Sequence, residues 1–199
     1  MATPQAQFAA AFAASQDARG SAQQIMEANA WLERFQSTTD AWQVADQLLQ
    51  HGAQAGEGAG ALVFAAQTMR SKIQYDWAEL PAESHASLRS SLLAHVVRYG
   101  VGPQPVLTQL CLAIATLALH MESWGGVVGD LIGAMTTPPE SAAAKLPCLL
   151  GLLTVLPEEA ENFKVRAPLP RLLSARAVLL RCRRVPSTWR RWRSCCAGA

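Results

Sequence analysis

Four histidines, His51, His85, His95 and His120, and five cysteines, Cys111, Cys148, Cys182, Cys195 and Cys196, are the side chains through which this chain could act as nucleophile, proton carrier or metal ligand. Their spacing argues against all three roles. No histidine stands in a motif that would set it against a nucleophile, so the four read as helix-end or surface residues. No CxxC pair and no His/Cys spacing of the zinc type occurs, and no metal is expected. Glycines 52, 56, 58 and 60 have the density of a phosphate loop, but no strand signal precedes them and no Gly-Lys-Ser/Thr follows. They read as a connector. The sequence therefore predicts neither an enzyme nor a cofactor.

The remaining chemistry is recognition by hydrogen bonds and charge. Gln67, Arg70, Ser71 and Gln74 recur at steps of three, one and three, which gathers them on one side of a helix. Gln109, Thr116 and His120 form a narrower polar stripe on a second helix. These seven are the candidate contacts to a protein partner. The competing reading is that they are the solvated sides of packed helices.

The elements that must position them are helical. Leu62, Ala66, Met69, Ile73 and Trp77 fall at steps of three or four and predict a helix over 62–77. Leu80-Pro81 starts a second helix, with Leu88, Leu92, Val96 and Tyr99 on its stripe, and Gly100 and Gly102-Pro103 end it. The third, from about Pro105 to Met121, is apolar on most sides, so it needs neighbours on two or three of them. Upstream, Ser21 and Gln24 make a capping box for a helix reaching Gln36, and a further helix starts near Thr38 or Thr39, carries Trp42, Ala45, Leu48 and Leu49, and stops at Gly52. Trp31 and Trp42 read as packing anchors. Gly126 to Met135 and Ala142 to Leu156 form another pair, and a short helix near Gln5 to Ala14 opens the chain. About four antiparallel pairs with a period of roughly 40 residues predict an all-α solenoid of HEAT repeats.

Particular residues carry a resemblance beyond this rhythm. Trp31-Leu32-Glu33-Arg34-Phe35-Gln36-Ser37, then Ala41-Trp42 and Leu48-Leu49, resemble the amino-terminal signature of the importin-β family of transport receptors. Phe64 to Met69, Lys72-Ile73-Gln74, Glu79-Leu80-Pro81, Ser84 to Arg89 and Leu153 to Glu159 resemble its transportin-3 branch, whose members import serine/arginine-rich splicing factors. The likeness covers roughly Ala9 to Glu159. It implies a fragment of a much longer receptor, binding of the GTP-loaded small GTPase Ran through the inner helices, and shuttling between cytoplasm and nucleus. It also implies that contacts to serine/arginine-rich cargo lie in later repeats. The alternatives are a truncated HEAT scaffold and a regulatory isoform, both without Ran or cargo binding.

Charge divides the chain. Residues 1–163 carry 7 basic and 15 acidic side chains, whereas residues 164–199 carry 10 basic and no acidic ones. The expected division is therefore HEAT repeats over 1–160 and a poorly ordered Arg/Trp/Cys-rich tail over 161–199 that does not resemble the family. Arg190 and Arg191 between Trp189 and Trp192 could engage nucleic acid, an anionic membrane or the acidic helices through charge and stacking. The plainer reading, an appendage with no direct nucleic-acid or membrane partner, is preferred. Leu172 to Leu180 is far shorter than the ~20 residues a bilayer requires. Met1 to Ala18 lacks a basic start and a continuous apolar core, and Asp17 interrupts it, so no secretory signal is expected. Cys111 and Cys148 lie on apolar stripes and read as reduced core residues, consistent with an intracellular chain.

Overall fold

The computed structural model describes residues 3–166 except 56, 57, 122 and 138. These residues form eight α-helices: α1 (Pro4–Gln16), α2 (Ala22–Gln36), α3 (Asp40–Ala55), α4 (Ala59–Tyr75), α5 (His85–Tyr99), α6 (Gln104–His120), α7 (Val127–Thr136) and α8 (Pro139–Arg166). Single 3-10 turns at Trp77–Glu79 and Ala82–Ser84 join α4 to α5, and the described residues include no strand.

The helices pair in sequence, α1 with α2, α3 with α4, α5 with α6 and α7 with α8. The second helices then stack, α4 on α6 and α6 on α8, while the first helices touch more lightly, α1 to α3, α3 to α5 and α5 to α7. This is the HEAT-repeat α-solenoid. Each pair is too narrow to bury both of its apolar stripes alone, so stability accrues only when neighbours stack.

Local chemistry sets the helix ends. Ser21 caps α2: its hydroxyl accepts from the Gln24 amide at 3.2 Å, and the Gln24 side chain accepts from the Ser21 amide at 3.0 Å. Pro4 and Pro105 sit in the first turns of α1 and α6, where a missing N–H costs no helical bond. Asp76 ends α4 and leads into a 3-10 turn, so Trp77 lies outside the helix that was expected to contain it. Pro81 likewise precedes a 3-10 turn, and α5 begins only at His85.

The core is densest around α6. Eleven of its residues are buried, among them Val106, Leu110, Ile114 and Leu117 at 0 % exposure, so this helix is covered by α4, α5 and α8 at once. At the amino-terminal end Phe8, Phe12, Phe35 and Phe64 join α1, α2 and α4, with ring centroids 5.4–6.2 Å apart. Gly60 belongs to this contact: a Cβ there would stand 3.3 Å from Phe12 Cζ, so the close approach of α1 and α4 favours glycine.

The structure corrects several boundaries. Gly52 does not stop α3, which runs on to Ala55, because one glycine costs a packed helix only about 1 kcal/mol. α8 begins before Ala142 and ends after Leu156, passing through Pro147 and Pro157. The division expected at residue 160 thus falls inside α8, and residues 167–199, most of the basic tail, lie outside the described residues. Trp42 is the buried anchor expected of it, whereas Trp31 is half-buried and stacks flat on Phe35, centroids 5.1 Å apart at 9°.

Candidate protein-binding face

α4 buries Ala65, Ala66, Met69 and Ile73 and turns its other side outward. Gln67 is exposed there, and Arg70, Ser71 and Gln74 are half-buried. Because α4 stacks directly on α6, Arg70 meets that helix: its Nη1 donates to Gln109 Oε1 at 3.4 Å. Two residues 39 positions apart, each singled out from its own helix, thus form one polar junction.

The other candidates on α6 do not join it. Thr116 is 4 % exposed and its hydroxyl donates to the Leu112 carbonyl at 2.9 Å, within its own helix. A threonine satisfied by the preceding turn is tolerated in a core, so Thr116 is no surface contact. His120, at the end of α6, stacks on Trp77 with centroids 5.4 Å apart, and Trp77 stacks in turn on His85 at 4.1 Å. That stack fastens the α4–α5 connection to α6.

A buried lysine steadies the end of α4. Lys72 is 1 % exposed and pairs with Asp76 and Glu79, each at 2.8 Å, while its Nζ lies 5.7 Å from the centre of the Trp42 ring. Burial alone would lower its pKa, but the two carboxylates more than offset this and hold it above the usual lysine value. On the side of α4 facing α2, Gln36 Nε2 donates to the buried Thr68 hydroxyl at 2.9 Å.

A second polar cluster lies between α3 and α5 and shows that the four histidines are not alike. His95 is 1 % exposed, against the expected surface or helix-end placement, and its Nε2 is 2.8 Å from Asp46 Oδ1. Ser91 donates to the same carboxylate oxygen. Burial would raise the Asp46 pKa, but the bonds from His95 and Ser91 outweigh it, and the carboxyl is held below its usual range. Serine, histidine and aspartate side by side invite comparison with a hydrolase. The geometry is wrong for a relay: Ser91 and Asp46 both lie at Nε2 of His95, at 3.2 and 2.8 Å, whereas a relay needs the carboxylate at Nδ1 and the hydroxyl at Nε2. Beside this cluster the Tyr99 hydroxyl donates to the Leu49 carbonyl at 2.9 Å, and Arg98 donates to that of Gln50. These bonds lock α3 to α5. No sequence signal marks them, because they depend on which helices meet.

Among the described residues no group of three His, Cys, Asp or Glu side chains could hold a metal, and no helix is long and apolar enough to cross a membrane. The face on α4 and α6 presents the guanidinium of Arg70 and the side-chain amides of Gln67, Gln74 and Gln109, which are hydrogen-bonding groups.

Comparison with known proteins finds similarity along both halves of the stack. The importin-beta N-terminal domain pattern matches residues 28–98, and that of exportin 1-like protein matches residues 103–169. Over these two stretches the chain is similar to receptors of the importin-β type. Transportin MOS14 of Arabidopsis thaliana is 42% identical over 146 residues, 71% of this chain and 14% of that protein. Importin-13 of Homo sapiens is 32% identical over 142 residues, covering 69% of this chain and 14% of its own length. The chain thus spans about a seventh of the length of each of these relatives. Arg70 falls inside the importin-β amino-terminal match and Gln109 inside the second, so their junction lies where the two matched regions meet in the stack.

Proposed function

We propose that this chain is the amino-terminal part of a nuclear import receptor of the transportin-3 type, and that its second helices bind GTP-loaded Ran. The observation that carries the reading is the Arg70–Gln109 junction, flanked on α4 by Gln67, Ser71 and Gln74. It sets a guanidinium and several amides on adjacent stacked helices of a chain whose first 163 residues are otherwise acidic. His120 belongs to the same proposed face at the far end of α6. Thr116 does not. In this reading the whole receptor shuttles between cytoplasm and nucleus, and serine/arginine-rich cargo is bound by repeats beyond this chain. The HEAT unit, residues 1–160, works without cofactor or metal.

The test is a pull-down of the full chain with Ran loaded with a non-hydrolysable GTP analogue or with GDP, in parallel with Arg70→Glu. GTP-selective capture that the substitution abolishes is expected. Equal capture of both nucleotide forms, or capture indifferent to the charge reversal, overturns the reading. A second reading, a truncated HEAT scaffold without Ran or cargo binding, is favoured by the engagement of Arg70 with Gln109 inside the stack itself. It predicts no capture at all.

A further inference from the structure

α8 is apolar on two sides, and its packing against α6 and α7 uses one of them. Lys145, Cys148, Leu149, Leu152 and Leu156 are buried and follow one another at steps of three, one, three and four, so they share the side of α8 turned to those helices. On the opposite side Leu146, Leu150, Leu153 and Pro157 recur at steps of four, three and four. Leu150 is 47 % exposed and the other three are half-buried. A stacked array stays soluble when its outermost apolar side is covered by an element whose own outer face is polar. We propose that residues 169–192 of this chain fold back over the Leu146–Pro157 stripe and cap the stack.

Position, pattern and charge select this occupant. Residues 167–199, outside the described residues, follow directly on α8, and Ala167-Pro168-Leu169-Pro170 comes first. Each proline disfavours helix at the residue before it, so the chain is suited to turn there. From Arg166 back to Leu146 along α8 is about 30 Å, a span that roughly nine extended residues or about twenty helical ones cover, and 169–192 suffices in either form.

The pattern fits an apolar stripe. Leu169, Leu172, Leu173, Ala177 and Leu180 fall at steps of three, one, four and three, which is one side of a helix, and Trp189 and Trp192 follow three apart. The charge is complementary. Glu158 and Glu161 are exposed and Glu159 is half-buried near the end of α8, whereas residues 167–199 hold eight arginines and no acidic side chain. Folded back with its leucines and tryptophans on the stripe, the segment sets arginines beside those glutamates and gives the cap a polar outer face.

The test keeps the full chain and reads contact directly. p-Benzoylphenylalanine in place of Leu150 is irradiated in dilute protein, and the products are mapped by mass spectrometry. Crosslinks within one chain, to residues 169–192, are expected. Crosslinks between two chains, which would make the stripe a self-association surface, or products with no partner in 169–192, overturn the proposal. The second readout is the alkylation rate of Cys182, which lies within the proposed cap, while the buried Cys111 and Cys148 stay unreactive. Leu150→Lys removes an apolar contact and repels the arginines, and Leu150 is exposed enough for the helix pairs to fold without it. Cys182 should alkylate about tenfold faster in that variant than in the parent, with the circular dichroism spectrum of the stack unchanged. Equal rates in parent and variant overturn the proposal.

Discussion

Replacing Lys72 separates what its charge contributes from what its hydrocarbon contributes. The ammonium is buried and bonded to two carboxylates at 2.8 Å, but Asp76 and Glu79 are themselves 31 % and 40 % exposed and regain water once the lysine is gone. A charge-assisted bond in a dry site is worth about 1.5–3 kcal/mol, and the access of water to both partners reduces the pair together to about 1–2 kcal/mol. Lys72→Met removes the charge and keeps a chain of similar length against Trp42, so the loss should be about 1–2 kcal/mol. Lys72→Ala also deletes three buried methylenes at about 0.8 kcal/mol each, which brings the total to about 3–4 kcal/mol. Urea denaturation followed by circular dichroism reads both. A methionine variant as stable as the parent would refute the ionic share, and methionine and alanine variants of equal stability would refute the hydrocarbon share.

Ile114→Ala, at a site with no exposure in the most covered helix, should cost about 3–4 kcal/mol in the same assay. Ser21→Ala removes one half of the capping box and should cost about 1 kcal/mol, read as a fall in thermal midpoint. Gly129→Ala should stabilise by up to about 1 kcal/mol, since a Cβ there meets nothing within 4 Å, whereas Gly60→Ala gains little because its Cβ crowds Phe12. Asp46 has a depressed pKa in the folded chain, so its contribution is fully present above the ordinary carboxylate pKa of about 4 and is lost as pH falls below it. Asp46→Asn should therefore flatten the acid limb of a stability–pH curve.

Much of the architecture is legible without coordinates because an amphipathic helix writes its burial into its period. The stripe of Leu62, Ala66, Met69 and Ile73 locates α4, the nearly uniform apolarity of 105–121 signals that α6 is covered on several sides, and Ser21 with Gln24 fixes the start of α2. Ends are less legible: Gly52, Pro147 and Pro157 break isolated helices, yet tertiary packing carries α3 and α8 through them. On the candidate face, Arg70 and Gln109 could each be chosen from one helix, but their meeting follows only from the stacking of α4 on α6. Thr116 misled because a hydroxyl bonded to its own helix reads as polar in sequence and is apolar in effect. The Asp46–His95 pair, 49 residues apart, leaves no local trace at all.

The coverage of α6 by α4, α5 and α8 bears on how this stack comes apart. Solenoids are often treated as strings of beads that unravel from an end, each repeat opening with its own free energy. Here one inner rod touches the repeats on both sides of it, so peeling away α8 strips a wall from α6 as well. The amides of α6 should be the last to exchange with deuterated water, and those of α1 and α7, whose neighbours are fewer, should exchange early. Deletions placed to isolate single repeats would therefore expose α6 before they separate any repeat from the rest.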